Sequence, residues 1–260
     1  MPDRRQHRGP HPQDERLFAD LYEQVLVVAT NELSWLLSRG YAISSSLKLV
    51  GDRHALTARQ RLAISRSACS EKSRQVRRQR RIDSVDLRQS ELWIDGYNVL
   101  VSVEAAFGGG VILQGQDGCY RDMASMHGSY RRVEETVPAI EQIGKQLAHW
   151  QIGHCRWLLD RPVSNSGRLK TLLAKIAQQY GWDWQVELVV DPDPILARCE
   201  HIVASADSQI LDRANRWFNL AREVIDLRIP KAWVLDLGNG QSHILDSQIL
   251  DSQGGDASVQ

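Results

Sequence analysis

Cysteine is scarce and scattered in this 260-residue chain: Cys69, Cys119, Cys155 and Cys199 include no C-x-x-C pair. The spacing offers neither a zinc signature nor a disulfide framework for so long a chain, and it predicts reduced thiols and a cytoplasmic location. Long apolar runs are missing as well. The longest, such as Val25–Ala29, fall far short of the about 20 residues that span a bilayer, so no membrane partner is expected. The opening stretch MPDRRQHRGPHPQDE lacks the apolar segment of a secretory signal. A triple glycine stands at 108–110, but no G-K-[ST] follows it and no G-x-G-x-x-G occurs, which removes the phosphate-loop and dinucleotide readings. Net charge is absent too, with 32 Lys+Arg against 32 Asp+Glu.

That balance hides an asymmetry. Residues 1–82 hold 16 Lys+Arg against 8 Asp+Glu, a net +8, and the remainder holds 16 against 24, a net −8. Two readings follow: a basic module that grips a polyanion beside an acidic module that coordinates cations, or two halves that attract each other.

Periodicity divides the chain at the same place. Phe18, Leu21, Tyr22, Val25, Ala29, Leu33 and Leu36 recur at helical spacing and predict a helix over 14–39, with Gly40 as its C-terminal cap. Ser44–Ser46 open a short helix stopped by Gly51. Thr57 caps a third, ARQRLAISRSACSEK, with Ala58, Leu62, Ser65 and Cys69 on one face and Arg59 and Arg66 beside it. The arginine-dense run RQVRRQRR (74–81) reads as a solvated face or linker. The expectation is a basic all-α domain over 14–82, suited to phosphate contact but without an identifiable recognition helix. From residue 91 short apolar runs (Leu92–Ile94, Arg156–Leu159, Gln185–Val190, His201–Ala204, Ala232–Leu235) alternate with helical segments opened by Thr136 and by Ser164–Ser166, and with another over 208–222. This is the grammar of an α/β domain over 91–238, with a mostly parallel sheet covered on both faces. Residues 1–13, and the tail 239–260 with its ILDSQ repeat, read as disordered.

Asp95, Asp160 and Asp207 each end a strand, where open parallel sheets place their ligand crevice. Converging carboxylates repel, by about 4 kcal/mol for a pair at ~4 Å and an effective dielectric near 20. A hard divalent cation such as Mg²⁺ or Mn²⁺ removes that penalty and suits metal-assisted phosphodiester hydrolysis. Aspartate is also a common turn residue, and Asp191 and Asp236 follow apolar runs in the same way.

WIDGYNVL (93–100) resembles the D-x-x-N opening of the PIN-like nucleases, in particular their NYN branch, and VASADSQILDR (203–213) resembles the later acidic strand of that superfamily. The segments GCYRDMASMHGSYRRVEET and LLDRPVSNSGR resemble a bacterial family of uncharacterised proteins in which a small helical domain precedes a PIN-like one. The resemblance implies a PIN-like fold, a metal-dependent ribonuclease of endonucleolytic action, and roles for Asp95, Asn98, Asp207 and Asp212, with Asp160 a third strand-end carboxylate. Metal would sit on Asp95, Asp160 and Asp207. One departure stands out: Gln209 occupies a place where the pattern carries a second aspartate, which keeps a non-catalytic RNA-binding or ribonucleoprotein-assembly protein as the alternative.

RNA contact is expected from Arg121, Arg131 and Arg132, interleaved with Tyr120 and Tyr130, and from Arg59 and Arg66. The residues do not distinguish RNA from DNA. Arg168 and Lys170, in the helix opened by SNSGR, suit a substrate phosphate. His127 is a candidate for proton transfer.

Overall fold

The structure is a computed structural model that describes residues 7–124, 128 and 130–239. The N-terminal region is helical: α1 (Asp14–Leu17), α2 (Asp20–Ser38), α3 (Ile43–Arg53), α4 (Ala58–Ser67) and α5 (Glu71–Arg80). The single helix expected from residue 14 is broken because Ala19 is extended, which lets Leu17 and Phe18 turn into the core. Gly40 follows α2 at φ +81°, as a left-handed cap requires. Gly51 lies inside α3 rather than stopping it. Thr57 and Gln60 form a reciprocal capping box at α4, and Gln60 also donates to the Leu17 carbonyl at 2.9 Å. That bond draws a polar residue inward, so α4 buries Gln60, Ala63, Ile64 and Ser67 instead of the face predicted from Ala58, Leu62 and Ser65. The arginine run is helical, opened by the Ser70 hydroxyl on the Ser73 amide.

The second region comprises β1 (Glu91–Asp95), α6 (Gly96–Phe107), β2 (Ile112–Gln114), β3 (Tyr120–Asp122), α7 (Thr136–His149), β4 (His154–Asp160), α8 (Ser166–Tyr180), β5 (Trp184–Val189), α9 (Asp193–Leu196), β6 (Ile202–Ala204), α10 (Ser208–Leu211), β7 (Trp217–Phe218), α11 (Leu220–Arg228) and β8 (Val234–Asp236). Five strands form a parallel sheet in the order β5-β4-β1-β6-β7. The chain builds outward from β1 to β5, then returns to add β6 and β7 on the other side. The order reverses between β1 and β6, which places a crevice beyond their C-terminal ends. Two expectations are corrected. The helix predicted over 208–222 is interrupted by β7, whose Trp217 and Phe218 are wholly buried. The run Ala232–Leu235 contributes β8 to a separate three-stranded sheet, β3-β2-β8, and not to the main one.

Coverage of the main sheet is unequal. Leu92, Ile94, Trp157, Leu159, Ile202 and Ala204 face a large core with α6, α7, α8 and α11. The alternate positions Leu158 and Val203, with Trp93 and Val189 partly buried, meet a small cluster under α9 and α10. The loop between α7 and β4 is short, and α7 lies close against the edge. A Cβ on Gly144 would collide with the Trp182 ring, which stacks on Tyr180 and on Trp184. Gly144→Ala should therefore cost about 1–3 kcal/mol of stability, read as a lower urea midpoint.

The small sheet joins the two regions by its pleat. Ile112 and Val234 point into the main core, whereas Leu113 and Leu235 pack with Leu26, Leu33 and Ile64 of the N-terminal helices. The helical region shares this core with the small sheet. Opposite charge adds to the joint: Arg77 pairs with Asp117 at 2.6 Å and with Asp212 at 2.8 Å, Arg66 with Asp122 at 3.7 Å, and Arg81 with Glu223 at 3.3 Å. Part of the basic half is thus spent on the acidic half of the same chain. Residues 7–13, expected to be disordered, are anchored. Arg8 is buried and donates to the fully buried Glu104 at 2.6 Å. Among the described residues no helix is long and apolar enough to cross a membrane.

Candidate active site

A cavity of about 440 Å³ fills the crevice beyond β1 and β6. Asp95, Asn98, Asp122, Asp193 and Asp207 line it, with Arg66. The motif D-G-Y-N acquires a physical reading here. Gly96 begins α6 directly behind β1, where a Cβ would come within 2.8 Å of the Leu158 carbonyl and closer still to the Leu159 side chain. No larger residue lets the helix start so near β4, and that start holds Asp95 and Asn98 on the crevice.

Hydrogen bonds then order the site. The Asp207 amide donates to Ser205 Oγ at 3.0 Å, and the Ser205 hydroxyl donates to Asp95 Oδ2 at 2.8 Å. Asn98 Oδ1 accepts from the Ala206 amide at 2.8 Å, pinning the end of β6 to the start of α6. Asp207 Oδ1 caps α10 through the amides of Gln209 and Ile210, at 2.7 and 3.3 Å. Asp122 accepts from Ser102 Oγ at 2.9 Å and from the Ala124 amide at 2.8 Å.

The electrostatics are unbalanced. Asp95 is buried, and desolvation pushes its carboxyl up to about 7 against the opposing Ser205 hydrogen bond. The charges of Asp207, Asp193 and Asp160 push the same way. Asp193, at the rim, is raised to about 6 by desolvation and by Asp207, Asp191 and Asp160. Asp160 lies outside the cavity lining, and its carboxyl is raised by desolvation. Among the described residues no group of three or more His, Cys, Asp or Glu side chains stands close enough to cage a metal ion. The donors are all hard oxygens, and one or two carboxylates with open positions for water and phosphate are what Mg²⁺ uses at a substrate site. The buried, like-charged environment of Asp95 fits such a cation.

Other predicted residues lie elsewhere. Asp212 turns from the cavity to Arg77. Arg121 lines the cavity, yet its donors are taken by both oxygens of Asp117 (3.0 and 2.6 Å) and by the Ala206 carbonyl (2.8 Å). Arg59 is bound to buried Asp14. Arg66 reaches the rim while holding the carbonyls of Asp122 and Ala124. Arg131, Arg132 and Arg168 gather at a second cavity. His127 lies outside the described residues. Asp122, Asp193 and Ser205 were missed. Only the small-residue step S-A-D before Asp207 hinted at Ser205. Asp193 follows β5, a strand not adjacent to β6, and reaches the crevice only through the crossover.

Comparison with known proteins places the chain among relatives. The family described as "Domain of unknown function (DUF5616)" matches residues 84–223, and "Protein of unknown function (DUF434)" matches residues 25–80. A protein of Methanocaldococcus jannaschii, described as "Uncharacterized protein MJ0935", is 30% identical over 199 residues, covering 76% of this chain and 92% of its own length. No solved structure matches the chain.

Proposed function

The chain belongs to the family described as "Domain of unknown function (DUF5616)", and from its acidic crevice we propose that it is a ribonuclease with a PIN-like fold, using Mg²⁺ or Mn²⁺ to hydrolyse phosphodiesters endonucleolytically. The observation that carries this reading is the buried Asp95 carboxyl, hydrogen-bonded through Ser205 to the backbone of Asp207 and surrounded by charges of its own sign.

Asp95 and Asp207 would hold the cation, with Asp193 facing it across the rim. A divalent cation there supplies Lewis acidity to a phosphoryl oxygen and lowers the pKa of a water. The chain's own groups do the positioning. Ser205 fixes one oxygen of Asp95 and leaves the other for ligation. Asn98 sets the spacing between β1 and β6. Arg66, also in the lining, adds positive charge where a strand's phosphates would pass.

A second reading, RNA binding without cleavage, is favoured by one observation: Asp212, the candidate substitute for the carboxylate missing at Gln209, is drawn off by Arg77. Mn²⁺ titration calorimetry run beside an RNA cleavage assay separates the two. Metal binding together with cleavage supports the ribonuclease, and metal or RNA binding without cleavage supports the alternative. No metal binding removes the catalytic reading. Ser205→Ala should weaken Mn²⁺ binding about 10–100-fold without unfolding the protein, as loss of a ligand-orienting hydrogen bond does.

A further inference from the structure

The second cavity, about 350 Å³, is chemically opposite to the first. Arg131, Arg132 and Arg168 line it with Asn165, Tyr130 and the leucines at 169 and 172, and no carboxylate is among them. It lies next to the acidic cavity: Tyr97 lines one, Tyr130 the other, and their ring centroids are 5.3 Å apart.

The wall carrying these arginines is built in place. The Tyr130 carbonyl accepts from Asn165 Nδ2 at 2.9 Å, and the Arg131 carbonyl accepts from Arg8 Nη2 at 3.1 Å. Arg8 and the Tyr130 hydroxyl are both anchored on buried Glu104. Several arginines elsewhere are held on carboxylates, as with Arg59, Arg77 and Arg121. Here Arg132 and Arg168 have no hydrogen-bond or ion-pair partner among the described residues. Guanidiniums that line one cavity attract an anion, and their planar forks match phosphate oxygens. An internal phosphodiester brings one negative charge. A terminal phosphate brings about 1.5–2 near neutral pH and matches the cavity better. Leu169, Leu172 and the Tyr130 ring offer apolar surface to the end nucleoside.

We propose that this basic cavity holds the terminal phosphate of the RNA strand whose internal bond lies in the acidic cavity. The inference rests on the ribonuclease reading and names its substrate class: strands with a phosphorylated end. Binding of a short, internally labelled oligoribonucleotide in EDTA, measured by fluorescence anisotropy, tests it. A phosphate at an end should tighten binding about tenfold in the wild type and equally in Asp95→Asn. The preference should vanish in the double variant Arg132→Ala/Arg168→Ala, whose side chains are exposed and leave the core intact. Affinities for phosphate-ended and hydroxyl-ended strands within about twofold of each other, or a preference that survives the double variant, would overturn it. A protein that shows the preference but cleaves no RNA with Mn²⁺ keeps the subsite and loses the ribonuclease reading. One that cuts both strands alike with no preference loses the subsite alone.

Discussion

Asp95→Asn should abolish metal-dependent RNA cleavage and lower Mn²⁺ affinity at least about a hundredfold, because it removes the one charge at the bottom of the crevice that water cannot screen. The same change should stabilise the metal-free protein, by roughly 1–3 kcal/mol near pH 7. The native carboxyl is pushed up to about 7 by burial, opposed by the Ser205 hydrogen bond and reinforced by Asp207, Asp193 and Asp160. An unfolded aspartate ionises near 3.9. Between those two values the fold holds a proton that the unfolded chain releases, so stability falls as pH rises, and an amide does not incur this cost. Denaturant unfolding in EDTA gives the stability, and calorimetry with Mn²⁺ gives the affinity. A variant that is both less stable and still able to bind the metal would leave Asp95 as a strand-end turn residue.

Asp117→Asn should destabilise the protein by about 3–5 kcal/mol, the largest single effect expected outside the hydrophobic core. Its carboxylate is 1% exposed and lies between Arg77 and Arg121, 3% and 11% exposed. Without it two buried guanidiniums face each other at the joint of α5, the small sheet and α10. The triple variant Arg77→Met/Asp117→Leu/Arg121→Met should recover most of the loss, since it removes the charges and not only their partner. Burial alone would raise the Asp117 carboxyl, but the two guanidiniums and the Cys119 amide outweigh it and hold the group below the usual carboxylate range. The sign follows. The contribution is complete above about pH 3.9 and is lost as pH falls through the lower native value. Urea midpoints of wild type and variant should run parallel from neutral pH to about pH 5 and converge on acidification beyond about pH 4.

The α/β region was legible where local pattern and burial agree. The runs ending at Asp95, Asp160 and Ala204 became β1, β4 and β6 because apolar residues flanked by polar turns have few other ways to bury both faces. Thr57 and Gly40 stood where their capping chemistry placed them. Short elements escaped. β7 has two residues and β2 and β3 three each, too few for a period-two signal to emerge. Arginine was the most misleading residue type. A run such as 74–81 looks the same in sequence whether its charges face water, a phosphate or Asp117.

What the sequence determined by itself was local: which segments bury an apolar face, where helices begin and end, and that Asp95 and Asp207 close apolar runs. Tertiary structure alone decided who meets whom. Strand order put β6 beside β1 and so joined Ser205 to Asp95. The crossover after β5 brought Asp193 to the rim, while Arg77 took Asp212 from it. The reason is physical: hydrogen bonds and charge pairs act within a few ångströms, and the partners here stand up to 142 positions apart along the chain.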